Sequence, residues 1–274
     1  MQKKVFANIF TMNGEKMKEV AEILNWYLLS GVDEIAGDEP CNTLAKHELT
    51  EKISAPERTV SVRPATTLLA QESNAACLNA KDKCKNAKDF AELRNILEHF
   101  DGCSLKFSAN STVFGDGNPK AEVMLIGEAP GAEEDRQGKP FVGRSGQLLE
   151  KMLATVGISR QDCYITNVLP WRPPGNRTPT EAEVAVCLPF LMRQIEFVDP
   201  KVVVLLGASA ANAVLGNNDS ISSLRGKALE ICLENGTTVK AIASFHPAYL
   251  LRNSAQKAKS WSDLLRLKRC LLKE

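Results

Sequence analysis

AEVMLIGEAPGAEEDRQGKPFVGRSGQLLEKMLATVG (residues 121–157) is the stretch that decides the architecture. Val123–Ile126 is a continuous apolar run of strand length that stops at Gly127. A glycine-rich loop follows. Leu148, Leu149, Met152, Leu153 and Val156 then mark one face of a helix, which Gly157 closes. A fully apolar strand feeding a loop and an amphipathic helix is the repeating unit of a parallel sheet covered on both faces.

The unit recurs along the chain. Tyr164–Leu169 reads as a second strand and Lys201–Leu206 as a third, with a helix from Ala208, and Val239–Ser244 as the last. Thr178-Pro179-Thr180-Glu181 predicts a capping box with Thr178 at the N-cap and Pro179 in the first turn. Strands alternating with helices predict an α/β fold. Upstream, Met17, Val20, Ile23, Leu24, Tyr27 and Leu28 recur at helical spacing, with Gly31 ending the run. Residues 33–85 lack strong periodicity and read as an irregular linker, and a helix spans roughly 87–100.

In parallel sheets, ligands bind beyond the carboxyl ends of the strands. That rule selects the loops at 127–141 and 167–177, Gly207, and 246–252. The first loop brings Glu128, Glu133, Glu134 and Asp135 beside five glycines and Phe141, a composition unlike a phosphate cradle. Asn167 ends the second strand. Its amide offers a carbonyl and an NH2 in one plane, which suits a nucleobase edge, and it suits the cap of a turn equally well. His246 ends the last strand in FHPAYLLR (245–252), where imidazoles serve chemistry as often as structure.

The net charge of +1 conceals an asymmetry. Residues 33–58 carry seven acids against three bases, and residues 250–274 seven bases against two acids. A basic end suits a polyanion, and it also suits a solvated amphipathic helix. The eight cysteines form no C-x-x-C pair and read as reduced buried thiols. No apolar run reaches the roughly 18 residues of a membrane span, and the N-terminus lacks a signal-peptide pattern. A cytoplasmic protein is expected.

GEAPGAEEDRQGKPFVGRSGQLL, YITNVLPWRPPGNRTPT and FHPAYLLR, preceded by VFGDGNP at 113–119, resemble in order and spacing the signature segments of family-four uracil-DNA glycosylases. The resemblance covers roughly residues 100–270. It implies a three-layer αβα sandwich around a central four-stranded, mostly parallel sheet, with residues 1–85 as an N-terminal helical extension of the kind found on alphaproteobacterial members and residues 86–274 as the glycosylase domain. It implies a monomer acting on uracil-containing DNA, without membrane association, by flipping the base from the stack.

The roles implied are these. Phe141 stacks on uracil, Asn167 reads its Watson–Crick edge, and backbone around Gly127 lines the pocket. Glu134 crowds C5 of the base. Glu128, with Asp135 as a second candidate, stabilises the sugar cation or positions water, and His246 stabilises charge on the leaving base. Leu250, Leu251 and Arg252 fill the gap in the duplex, and Arg144 and Arg177 contact phosphates.

Typical members also hold a four-iron cluster on four cysteines. The corresponding positions here are Phe100, Cys103, Trp171 and Cys187, so no cofactor and no metal are expected. Covalently trapping relatives carry a histidine-rich insertion. The matching stretch here, 222–227, has no histidine, which argues against that variant. A small-nucleotide hydrolase on a similar sheet is the other open alternative.

Overall fold

The computed structural model describes residues 65–272, with side chains from Ala75 onward. The N-terminal helix over Met17–Leu28 and the acidic block at 33–58 lie outside the described residues. Helix α1 (Ala65–Asn86) comes first, then α2 (Phe90–Glu98) and α3 (Leu105–Ser108). Strands β1 (Asp116–Gly117) and β2 (Val123–Gly127) follow, then α4 (Ala132–Gln137), α5 (Arg144–Ala154) and β3 (Cys163–Asn167). Helix α6 (Glu181–Val198) leads to β4 (Val202–Leu206), α7 (Ala208–Leu215) and α8 (Ile221–Leu224). The chain closes with β5 (Leu229–Cys232), β6 (Thr238–Ser244), α9 (Pro247–Arg252) and α10 (Lys257–Leu272).

The sheet order is β1-β3-β2-β4-β6-β5. The inner strands β3, β2, β4 and β6 pair in parallel and are the four expected from sequence. Two short strands, β1 and β5, add antiparallel edges and extend the sheet to six. Alternate residues of each inner strand serve opposite layers. Met124, Ile126, Val203 and Leu205 pack with Leu191 and Ile195 of α6 on one face. Val123, Leu125, Val202 and Val204 pack with Leu149 and Leu153 of α5 and Leu264 and Leu267 of α10 on the other. Burial on both faces is why these strands read as unbroken apolar runs.

A third apolar cluster joins α1 and α2 to the outer side of α6 through Ala80, Cys84, Leu93, Leu97, Val186 and Phe190. It requires a correction: the stretch 33–85, expected to be irregular, is helical from Ala65, and α1 packs along α6. From Ala75 onward the buried residues of α1 are small (Ala80, Cys84), so close approach there replaces the stripe of large side chains that would have announced the helix. The N-terminus of α6 also differs from expectation by two residues. Two overlapping T-x-x-E patterns compete there, and Thr180 caps. Its hydroxyl accepts from Glu183 N at 3.2 Å, and Glu183 Oε2 accepts from Thr180 N at 2.8 Å.

From β2 the chain builds outward to β3 and then returns past β2 to β4. That reversal opens a crevice at the carboxyl ends of the strands, where the backbones of β2 and β4 diverge into different loops.

Candidate active site

The parallel register aligns Gly127 with Asn167 and Leu206 with Ser244, so the loops after β2, β3 and β6 leave the sheet at one edge. They enclose a cleft of about 460 Å3 lined by Glu128, Glu134, Phe141, Asn167, Arg177, His246 and Arg252, among others. Residues 167 to 252 are distant in sequence from residue 127, and only the parallel topology gathers them.

Phe141 is buried with a left-handed backbone, φ 52°. For a non-glycine residue that conformation costs about 1–3 kcal/mol and needs bracing. Bracing is present on all sides. Arg160 Nη1 donates to the Phe141 carbonyl at 3.0 Å and Nη2 to the Pro140 carbonyl at 2.6 Å. Glu134 Oε1 accepts from Val142 N at 3.0 Å and Gly143 N at 2.8 Å. Gly146 lies so close beneath the Phe141 carbonyl that any side chain there would overlap it. The ring lies 5.6 Å from the His246 ring, tilted by 31°. A Cβ on Gly127 would overlap Asn167 Oδ1 and come within 2.6 Å of Phe141 Cζ. Phe141 and Asn167 therefore converge above a residue that must be glycine.

Asn167 is buried at the end of β3, and its amide has no hydrogen-bond partner among the described residues. His246 caps α9: its Nδ1 accepts from Ala248 N at 3.1 Å. That bond places the ring proton on Nε2. Burial, helped by the Arg252 charge, pulls the imidazole down from 6.5 to about 4, against the smaller opposing effect of Glu134. The ring is therefore neutral at ordinary pH and can donate from Nε2.

Several expected roles need correction. Asp135 is 1% exposed and does not line the cleft. Its carboxylate accepts from Asn110 N at 2.8 Å, Asn110 Nδ2 at 2.6 Å and Ser111 N at 3.2 Å, and its own carbonyl accepts from Ser111 Oγ. It ties the loop at 110–111 to α4 and is spent as a catalytic charge. Glu134 reaches the cleft as expected, and its Oε1 also braces the amides at the N-terminus of α5. Arg177 grips Glu183 through two bonds of 2.9 and 2.6 Å, and this guanidinium holds the Glu183 carboxyl below its usual range. Arg177 is not a free phosphate ligand. Arg144 and Arg252 are exposed, without an ion-pair partner among the described residues.

Leu250 is 0% exposed and packs inside, whereas Leu251 is 41% exposed. Of the expected pair only Leu251 reaches the surface, because consecutive helical residues point about 100° apart. Leu250→Ala should cost about 2–5 kcal/mol of stability. Leu251→Ala should leave the melting curve unchanged and weaken function on duplex DNA. Paired thermal melts and excision assays check both, and a destabilised Leu251 variant would reverse the assignment.

Phe100, Cys103, Trp171 and Cys187, at the positions where the resemblance implies cluster ligands, all belong to the third apolar cluster. The Phe100 ring lies 5.1 Å from the Phe190 ring, tilted by 60°, and Trp171 Nε1 donates to Thr112 Oγ1 at 3.0 Å. The interaction of the neighbouring Cys103 and Cys187 thiols, together with burial, pushes the Cys187 thiol up, and the same interaction lowers Cys103 against the opposing effect of its burial. Two thiols and two aromatic side chains do not fit a cluster that needs four thiolates. The bracing of the Pro-rich loop against α2 is hydrophobic instead. Each aromatic buries roughly 150–250 Å2, worth about 4–6 kcal/mol of transfer free energy.

Two residues that matter to the cleft were not foreseen: Arg160, and Asp116 on β1, which accepts from Arg160 Nε at 2.8 Å. Asp116 lies within VFGDGNP, but nothing local pairs it with Arg160, since the contact spans 44 residues and exists only through the pairing of β1 with β3.

The uracil DNA glycosylase superfamily model matches residues 114–265. A Type-4 uracil-DNA glycosylase of Archaeoglobus fulgidus is 44% identical over 169 residues, covering 60% of this chain and 84% of that protein. One of Thermotoga maritima is 45% identical over 156 residues, 57% of this chain and 79% of its relative. A Type-5 uracil-DNA glycosylase of Pyrobaculum aerophilum is 34% identical over 157 residues, 51% of this chain and 67% of that protein. The match spans β1 to α10 and contains every cleft residue named above, and the chain belongs to the uracil DNA glycosylase superfamily.

Proposed function

We propose that this protein hydrolyses the N-glycosidic bond of deoxyuridine in DNA and so begins base excision repair. The observation that carries the proposal is the convergence of the Phe141 ring and the unpartnered Asn167 amide over side-chain-free Gly127, with the neutral His246 ring 5.6 Å from that of Phe141 in the same cleft. A planar base extruded from the stack fits between such groups. Phe141 offers its face, and the Asn167 carbonyl accepts from uracil N3–H while its NH2 donates to O4. The C1′–N1 bond breaks with its electron pair leaving on the base, water adds its oxygen to C1′, and the proton that water gives up neutralises the uracil anion by way of solvent. His246 Nε2–H donates to the charge growing on uracil O2, and Glu128 faces the cationic sugar or orients the water. Leu251 and Arg252 occupy the vacated stack, and Arg144 contacts the backbone.

The reaction is monofunctional. No lysine is among the residues that line the cleft, so no amine is positioned to form a Schiff base with the abasic sugar. The protein works as a monomer where chromosomal DNA is found, in the cytoplasm. No helix among the described residues is long and apolar enough to cross a membrane.

The test is excision from uracil-containing oligonucleotides. Strands should become alkali-labile without spontaneous nicking, and free dUMP should not react. Nicking at the rate of excision would refute the monofunctional step, and turnover of dUMP alone would favour a nucleotide hydrolase. Asn167→Asp should slow uracil removal by about tenfold or more, because a lost buried hydrogen bond costs about 1–3 kcal/mol. The same variant should begin to admit cytosine, whose N4–H2 a carboxylate can accept from. Wild-type rate and selectivity in this variant would remove Asn167 as the base reader.

The absence of an iron–sulfur cluster belongs to the same proposal, and its support is the donor set at positions 100, 103, 171 and 187. Aerobically purified protein is expected to be colourless, with iron far below one atom per chain and activity indifferent to chelators. Stoichiometric iron and sulfide, lost with activity in a Cys103→Ala, Cys187→Ala variant, would overturn it.

A further inference from the structure

We propose that Arg160 is a positioning residue: by holding the backbone behind Phe141 it fixes the plane on which the base stacks. This rests on the reading of Phe141 as the stacking ring. One guanidinium here engages four acceptors. Nε donates to Asp116 Oδ2 at 2.8 Å, Nη2 to the Pro140 carbonyl at 2.6 Å, and Nη1 to the Phe141 carbonyl at 3.0 Å and Glu150 Oε1 at 3.1 Å. The two carbonyls are consecutive and belong to the peptides on either side of the left-handed Phe141. A planar fork with five fixed donors can hold two adjacent carbonyls and a carboxylate at once, and a lysine ammonium cannot.

The rest of the fold serves this contact. Arg160 begins a short turn that Ser159 and Asp162 lock in a capping box. Asp116 is half of the two-residue strand β1, and that strand pairs with β3 only because the next residue is glycine. Gly117 has φ 102°, and a Cβ there would overlap the Cys163 carbonyl. VFGDGNP therefore acquires a purpose: its Asp-Gly delivers a carboxylate that orients Arg160, although Asp116 itself does not line the cleft. From the opposite side, Glu134 holds the next two amides. The stacking ring is thus set between a cationic clamp on its carbonyls and an anionic clamp on the following N–H groups.

The experiment uses the full chain with Arg160→Ala, Arg160→Lys and Asp116→Asn. Excision is followed under single turnover on a labelled uracil oligonucleotide, and DNA affinity by fluorescence anisotropy. Arg160→Ala should slow the excision step about 100-fold, the typical penalty of misplacing a reacting partner by an ångström, with DNA affinity little changed. Millimolar guanidinium should restore part of the rate, and methylammonium should not. Arg160→Lys should stay slow, and Asp116→Asn should fall between it and wild type.

An Arg160→Ala rate equal to wild type, or a loss of rate matched by loss of affinity and not rescued by guanidinium, overturns the proposal. If Arg160→Ala does not fold, wild-type rates in both Arg160→Lys and Asp116→Asn overturn it. Should the wild-type protein fail to excise uracil, the glycosylase reading fails by itself. The clamp is then decided by amide hydrogen exchange at Val142 and Gly143. Faster exchange in Arg160→Lys supports it, and unchanged exchange refutes it.

Discussion

Gly127→Ala is expected to lower single-turnover uracil excision about 100-fold while the protein remains folded. The added Cβ would overlap Asn167 Oδ1 and approach Phe141 Cζ and Cε2 to 2.6 and 2.8 Å. The backbones of both neighbours are fixed, so relief has to come from turning the Asn167 amide or the Phe141 ring away. Asn167 is the last residue of a central strand, in register with Gly127 itself. Phe141 is held through its own carbonyl by Arg160, through the following amides by Glu134, and from below by Gly146. One of the two must shift by about an ångström, and both are proposed contacts of the same base, so the base is displaced from the groups that act on it. Rate should fall more than DNA affinity, because contacts to the DNA backbone lie outside this pocket. A Gly127→Ala protein with wild-type rate and wild-type melting would mean that Phe141 and Asn167 do not grip one ligand between them.

The four inner strands were legible in sequence for a definite reason. A strand buried on both faces has to be an unbroken apolar run, and each of these runs stops where the chain enters a polar loop. The edges were not legible. Strand β1 has two residues, and β5 exposes alternate side chains in a segment of mixed polarity. Helix α1 escaped notice because from Ala75 onward it packs through small residues such as Ala80 and Cys84, which carry no apolar periodicity.

At the site, residue type was informative and side-chain direction was not. The acids from 128 to 135 look equivalent in sequence. The turn of α4 sends Asp135 inward to Asn110 and Ser111, whereas Glu128, directly after β2, lies on the cleft wall. Leu250 and Leu251 likewise divide between core and surface by helical phase alone. Arg160 and Asp116 are of a further kind, since their significance lies in a contact between distant segments that no local pattern encodes.

His246→Ala should reduce the excision step by about 10²–10³-fold, the usual consequence of removing one preorganised donor to a developing anion. The proposed donor is Nε2–H of a neutral ring. Its tautomer follows from Ala248 N, which donates to Nδ1 at 3.1 Å. Its neutrality follows from burial and the nearby Arg252, which together lower it from 6.5 to about 4. A neutral imidazole donates a hydrogen bond without carrying a charge that would hold the departing base in the pocket. The loss should appear in rate and leave DNA affinity almost unchanged, since the anion exists only as the bond breaks.

The pH profile separates this role from that of an imidazolium. An imidazolium of ordinary pKa would lose activity as pH rises through 6.5. Neutral His246 should give a rate that does not change across that value and acquires an acid limb only on approach to about 4. The same shift has a sign for stability. The unfolded chain takes up a proton near 6.5 that the folded site refuses, so stability falls as pH drops from about 6.5 toward 4. Below that window the folded site titrates as well. Titration of the histidine ring signals by NMR, assigned through the His246→Ala variant, should show its midpoint near 4. A midpoint near 6.5, or a wild-type rate that collapses between pH 6 and 8 while the alanine variant is insensitive there, would replace the neutral donor with a charged one.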